Sequence, residues 1–97
     1  EIFGPVASII RARDDEHAMQ LANESRYGLG GGIFSRDEGR ALKLARDHFD
    51  TGMVRINSFG AADPNMPFGG VKDSGYGREH GGFGMKEFVN AKAIFLP

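Results

Sequence analysis

Few residues in this chain are able to do chemistry alone, and their spacing excludes most reaction classes. The sequence has no cysteine, so it carries no thiolate nucleophile, no thiolate zinc site and no disulfide framework. Its histidines, His17, His48 and His80, stand more than 30 positions from one another. No pair has helical metal-ligand spacing, and no metal site is expected. No serine sits in a Gly-x-Ser-x-Gly elbow, the sharp turn that presents a hydrolase hydroxyl. Glycine-rich runs come closer to a phosphate site. Gly28-Leu29-Gly30-Gly31-Gly32-Ile33 nearly spells the dinucleotide fingerprint, but its last position is Ile33. It also follows a helix and precedes a strand, the reverse of the order that sets a pyrophosphate on a helix N-terminus. Gly75-Tyr76-Gly77-Arg78-Glu79-His80 fails at its last position too, and no Gly-Lys-Ser/Thr marks a P-loop. Gly28 reads better as a helix C-cap, where glycine is comfortable at positive φ.

Two stretches remain. Glu1-Ile2-Phe3-Gly4-Pro5-Val6 sets a carboxylate and an aromatic ring two residues apart beside a Gly-Pro turn. Pro67-Phe68-Gly69-Gly70-Val71-Lys72-Asp73-Ser74-Gly75-Tyr76-Gly77-Arg78-Glu79 is longer and more unusual. Composition frames them. The chain has 97 residues, about one small domain with a thin core. Its 15 glycines are about twice the usual share. A net charge of −1, from 12 basic against 13 acidic residues, offers no basic face for nucleic acid and no polybasic membrane anchor. No apolar run approaches a membrane span, and residues 1–6 lack the regions of a signal peptide. A cytoplasmic protein is expected, and the ends look like cuts through a longer chain.

These stretches must be held by ordinary elements. Val6 to Ile10 is a short, β-branched apolar run that suits a buried strand. Asp14-Asp15-Glu16 complements the positive end of a helix in which Ala18, Leu21 and Ala22 recur at helical spacing, ending between Asn23 and Tyr27. Ile33-Phe34 forms a second strand. Ser35-Arg36-Asp37-Glu38 is a capping-box pattern for a second helix, which gathers Ala41, Leu44, Ala45 and Phe49 on one face and stops at Thr51-Gly52. Met53 to Asn57 is a third strand, so the alternation describes an α/β fold with a parallel βαβαβ portion. Ser58 to Gly82 is an aperiodic Gly/Pro-rich loop, and loops of that length in compact domains are functional or disordered. A short helix over Met85 to Val89 and a strand over Ala93 to Leu96 complete the expectation.

Together the motifs resemble the aldehyde dehydrogenase superfamily. Its C-terminal part carries E-I/L-F-G-P-V, then A-N-x-x-x-Y-G-L, matched by Ala22-Asn23 with Tyr27-Gly28-Leu29. G-x-V-x-I-N follows, matched by Gly52 to Asn57, and then P-F-G-G-x-K-x-S-G-x-G-R-E, matched by Pro67 to Glu79. The order and spacing are family-like over nearly the whole chain. The resemblance implies residues 1–90 as the C-terminal part of a catalytic domain and residues 91–97 as a strand of an oligomerisation sheet. It implies NAD or NADP as cofactor, an aldehyde as substrate and a homo-oligomer. Glu1 resembles the glutamate that accepts hydrogen bonds from the nicotinamide ribose hydroxyls. Phe3 resembles the aromatic that positions the nicotinamide. Phe68 matches the ring bordering the aldehyde tunnel, and Ala62 lies in the stretch where the family varies its tunnel mouth. Lys72, Ser74, Gly75, Gly77, Arg78 and Glu79 match a segment read as mainly structural.

The same resemblance places the nucleophilic cysteine, the general-base glutamate, the oxyanion-holding asparagine and the nucleotide-binding domain ahead of this segment. No residue here is therefore expected to be catalytic, and the chain alone is expected to be inactive. Two rival readings are a non-catalytic α/β interaction module that self-associates and a free-standing nucleotide binder. The second has no phosphate loop to support it.

Overall fold

The computed structural model describes residues 3–60 and 62–97. Helix α1 spans Asp15–Asn23. Asp14 caps it, its side chain accepting from the His17 amide at 2.8 Å. The helix ends at Asn23 because that side chain turns outward to a neighbour. Asn23 Nδ2 donates to the His48 carbonyl at 2.7 Å, and its Oδ1 accepts from the Asp50 amide at 2.9 Å. Gly28 is therefore not the C-cap; it lies in strand β1, Tyr27–Gly28. There its lack of a side chain provides room, since a Cβ would stand 2.7 Å from Val71 Cγ2.

Strand β2, Gly31–Ile33, is followed by helix α2, Glu38–His48, and strand β3, Val54–Ile56. β2 and β3 pair in parallel with Gly32 opposite Arg55, so one strand–helix–strand unit of the expected kind is present. The cap of α2 is Asp37, accepting from the Arg40 amide at 2.9 Å, and not Ser35 as the capping-box pattern suggested. Ser35 is held extended by Asn57, whose side chain accepts from its amide and donates to its carbonyl, each at 2.8 Å. The helix can start only after that clamp. α1 and α2 are joined by an ion pair between Asp15 and Arg40.

The sequence expectation of one parallel βαβαβ sheet is corrected by a second pairing. β1 pairs antiparallel with β4, Val71–Lys72, inside the stretch read as a structureless loop. Among the described residues the structure is thus α/β with two separate two-stranded sheets. Val6 to Ile10 is extended, as its β-branched residues favour, but it pairs with no strand among the described residues, and Ile9 is 95% exposed. The final helix, α3, covers Gly81–Lys86, earlier than expected. Residues 93–96 form no ladder among the described residues. In both terminal runs an apolar strand pattern is present and a partner strand is not.

Ala41 on α2 is the one buried hydrophobic residue among those described. The molecule is elongated, 62 × 33 × 23 Å, with a radius of gyration of 17.1 Å where a compact chain of this length has about 12.5 Å. Its surface is 8445 Å², against about 5,400 Å² for a compact protein of this mass. Among the described residues no helix is long and apolar enough to cross a membrane.

Candidate functional site

The loop from Pro67 to Gly70 stands between two clefts, and Phe68 lines both. The larger, about 690 Å³, is walled by Phe68, Tyr76, His80, Met85 and Phe88, with Arg78 and Glu79 contributing charge. The smaller, about 440 Å³, runs from the glycines of β2 to Phe34, Phe59, Ala62 and Phe68, with Arg55 in its wall. Phe34 and Phe59 meet with ring centroids 5.1 Å apart and planes tilted by 45°, a favourable offset arrangement for two quadrupoles.

Several ties fix the height of Phe68. Its amide donates to the Glu79 carbonyl at 2.9 Å, and its carbonyl accepts from the Glu79 amide at 2.7 Å. The Arg78 guanidinium reaches back through Nη1 to the carbonyls of Gly70 at 2.7 Å and Gly77 at 2.6 Å. Ser74 Oγ accepts from the Gly28 amide at 3.0 Å. Lys72 Nζ donates to the Asn23 carbonyl at 2.9 Å and to the Ser25 carbonyl at 3.3 Å, and lies 3.5 Å from an Asp50 carboxylate oxygen. Arg78 and Lys72 thus direct donors at backbone carbonyls, and Lys72 and Ser74 lock the loop to the end of α1 and to β1.

His80 closes the loop under strain. Its φ of 62° lies in the left-handed region that a β-carbon disfavours, and its ring centroid is 5.7 Å from that of Phe68. Its Nδ1 is buried without a hydrogen-bond partner. The following amide, of Gly81, donates to the Pro64 carbonyl at 2.9 Å, which ties the start of α3 to the mouth of the loop.

Of the residues singled out from sequence, Ala62 and Phe68 come together on the smaller cleft, Phe68 half-buried and Ala62 exposed at the rim. Phe3 stands apart from both clefts and is 94% exposed at a φ of 52°. Glu1 and Ala61 lie outside the described residues. Sequence reasoning missed Arg55 and Phe34 in the smaller cleft. The available signal was the alternation of β3, which sets Arg55 on the face opposite Val54 and Ile56. The carboxyls of Asp15 and Asp47 are held below the ordinary range, each chiefly by its hydrogen bond to an arginine, Arg40 and Arg46 respectively. Both are on helices α1 and α2, away from the clefts, and these pairs are structural. Among the described residues no group of three or more His, Asp or Glu side chains could hold a metal ion.

A family model described as the aldehyde dehydrogenase family matches residues 1–94. The NADP(+) succinate-semialdehyde dehydrogenase of Deinococcus radiodurans is 52% identical over 94 residues, 97% of this chain and 20% of that protein. Among solved structures, succinic semialdehyde dehydrogenase from Streptococcus pyogenes in complex with NADP+ superposes with a TM-score of 0.93 at 47% identity, covering 100% of this chain and 21% of that one. Mycobacterium tuberculosis aldehyde dehydrogenase complexed with NAD+ gives a TM-score of 0.94 at 43% identity, covering 100% and 20%. The chain therefore spans about a fifth of the length of the relatives it matches.

Proposed function

The chain belongs to the aldehyde dehydrogenase family, and from that membership we propose that it forms the C-terminal part of an enzyme oxidising an aldehyde to a carboxylic acid with NAD+ or NADP+. Residues 1–90 are assigned to the catalytic domain and residues 91–97 to a strand of an oligomerisation sheet. The observation that carries the reading is the P-F-G-G loop. Its backbone is pinned by Glu79 and Arg78 so that Phe68 faces a cleft whose rim is Ala62. That is the geometry of a rigid wall with an open mouth, which suits a funnel delivering a small carbonyl compound. The exposed ends support a role inside a larger assembly, since Ile94, Phe95 and Leu96 present bare apolar side chains on an extended segment.

The balanced reaction consumes one aldehyde, one oxidised nicotinamide and one water, and yields the carboxylate, the reduced nicotinamide and two protons. The dinucleotide supplies the hydride acceptor. On this chain, Phe3 leaves an aromatic face uncovered, and a flat heteroaromatic ring can pack on it. Glu1 offers a carboxylate able to accept from two ribose hydroxyls at once. With no cysteine in the sequence, a thiolate that attacks the aldehyde belongs to another part of the protein. This chain contributes positioning, by holding the nicotinamide end through Glu1 and Phe3 and the aldehyde body through Phe68 and Ala62.

The test compares the full-length protein with residues 1–97 alone, reading aldehyde-dependent growth of the 340 nm absorbance of reduced nicotinamide. Turnover is expected from the full-length protein and none from the 97 residues. A full-length protein inert toward a panel of aldehydes with both cofactors refutes the activity, and turnover by the isolated chain refutes the positioning role.

A further inference from the structure

The ring of Phe68 has a neighbour on the side away from Ala62. Phe68 lines both clefts, whereas His80 lines the larger and not the smaller, so the imidazole meets the phenyl ring from behind the funnel wall. The two ring centroids are 5.7 Å apart and the planes are tilted by 44°, an arrangement in which aromatic pairs attract. Nothing the imidazole does for the backbone accounts for its place. His80 is the N-cap of α3, yet its side chain makes no capping hydrogen bond, where serine, threonine, aspartate or asparagine would. Its Nδ1 is buried with no hydrogen-bond partner among the described residues. What the ring does make is its contact with Phe68.

The backbone holds that ring in place at a cost. Glu79, the residue before, exchanges both backbone hydrogen bonds with Phe68 at 2.9 and 2.7 Å, and the Gly81 amide after it donates to the Pro64 carbonyl at 2.9 Å. His80 is therefore held between the segment that carries Phe68 and the loop that leads to it. With φ at 62° and ψ at 170°, its conformation falls in a region that is almost glycine's alone. Strain of this kind persists where the surrounding structure imposes it, and it gathers at functional positions. A glycine would relieve it, but would leave the larger cleft, about 690 Å³, open behind Phe68. We propose that His80 is a positioning residue: its ring backs Phe68 and keeps the phenyl group against the smaller cleft, so that the apolar body of an aldehyde meets a fixed wall. This rests on the reading of the smaller cleft as an aldehyde funnel.

A double-mutant cycle in the full-length protein tests it, with hexanal, which has an apolar chain to bury, against acetaldehyde, which has a single methyl group. His80→Gly should cost about five- to tenfold in kcat/KM for hexanal, mainly through KM, and under about twofold for acetaldehyde, as a loosened wall predicts. Its thermal midpoint should hold or rise, because glycine relieves the strain; if it falls, His80→Gln, which removes the ring and keeps the β-carbon, takes its place in the cycle. Phe68→Ala should also lose hexanal selectively. Adding His80→Gly to it should cost less than about twofold more, because the ring through which His80 acts is gone. His80→Phe keeps a ring behind Phe68 and should stay within about twofold of the wild type. Additive losses in the double variant, equal losses on the two aldehydes, wild-type kinetics in His80→Gly, or a His80→Phe as poor as His80→Gly each overturn the assignment while leaving the funnel in place. A Phe68→Ala protein with unchanged kcat/KM for hexanal, or a wild type inert toward hexanal, removes the funnel reading and the assignment with it.

Discussion

Gly52→Ala should damage this protein far more than a single methyl suggests. A β-carbon at Gly52 would stand 1.8 Å from the Gly69 carbonyl oxygen, 2.7 Å from its carbon and 2.8 Å from Gly70 Cα. Ordinary contact is about 3.5 Å, so the Gly69-Gly70 backbone would have to retreat by about 1.7 Å. It has little room. Gly70 is buried, and a β-carbon on it would already meet Ser74 Cβ at 2.6 Å and Leu29 Cα at 3.3 Å. Phe68, one residue before Gly69, is held at both backbone atoms by Glu79. Overpacking of this kind costs about 1–3 kcal/mol, with the upper end expected where both neighbours are backbone. Phe68 shares the displacement, and a misplacement of about 1 Å at a substrate wall can cost on the order of 100-fold in rate. The thermal midpoint and kcat/KM of the full-length protein should both fall. Gly82→Ala is the control: it lies in α3 with nothing within 4 Å of its would-be β-carbon, and it should leave stability unchanged or raise it by about 0.5–1 kcal/mol. A Gly52→Ala protein with wild-type midpoint and wild-type kcat/KM would refute the claim that this contact sets the loop.

Three further outcomes follow from the same geometry. Ala62→Phe in the full-length protein should lower kcat/KM for an aromatic aldehyde by about tenfold more than for acetaldehyde, because only the larger substrate meets the new ring; equal losses would move Ala62 off the funnel. Glu1→Gln should slow hydride transfer more than formation of the covalent adduct, read as a smaller burst of reduced nicotinamide at unchanged thiol consumption. Equal effects on both steps would count against a ribose contact. Arg40 lowers the Asp15 carboxyl below its usual value of 3.8, so the pair's contribution is present above that pH and disappears as pH falls through the lowered value. The difference in thermal midpoint between wild type and Asp15→Asn should accordingly be present at pH 7 and vanish in strong acid, and salt should shrink it; a difference that persists unchanged in acid would show that Asp15 acts through something other than its charge.

Local signals were legible wherever the chain itself satisfies them. Asp14 caps α1 and the β2–α2–β3 unit is parallel, because caps and crossovers involve neighbours in sequence. Ser35 misled because its partner, Asn57, is 22 positions away, and nothing local tells that a clamp will delay the helix. Val6 to Ile10 and residues 93–96 carry strand patterns with no partner among the described residues, and a pattern does not supply an edge to pair with. Arg55 could be placed on the outer face of its strand, but which loop folds over that face was not written in β3.

Glycine shows most clearly where pattern reading and structure part. Glycine is the residue that tolerates unusual backbone conformations, and Gly75, Gly77 and Gly81 do take positive φ. Gly28, Gly52, Gly69 and Gly70 meet a different need: at each, an added β-carbon would press within 2.9 Å of other heavy atoms. At Gly52 the neighbour is the Gly69-Gly70 backbone itself, at Gly28 and Gly70 it is the Val71 and Ser74 side chains, and at Gly69 it is Gly77 and Arg78 of the same segment. Nearness of this kind narrows the room the loop has to move, and Arg78 to the Gly70 carbonyl and Ser74 to the Gly28 amide tie it further. Phe68 is then positioned between its two clefts by the absence of side chains on the neighbouring glycines as much as by its two backbone bonds to Glu79, so glycine in this motif serves close packing and not only backbone freedom.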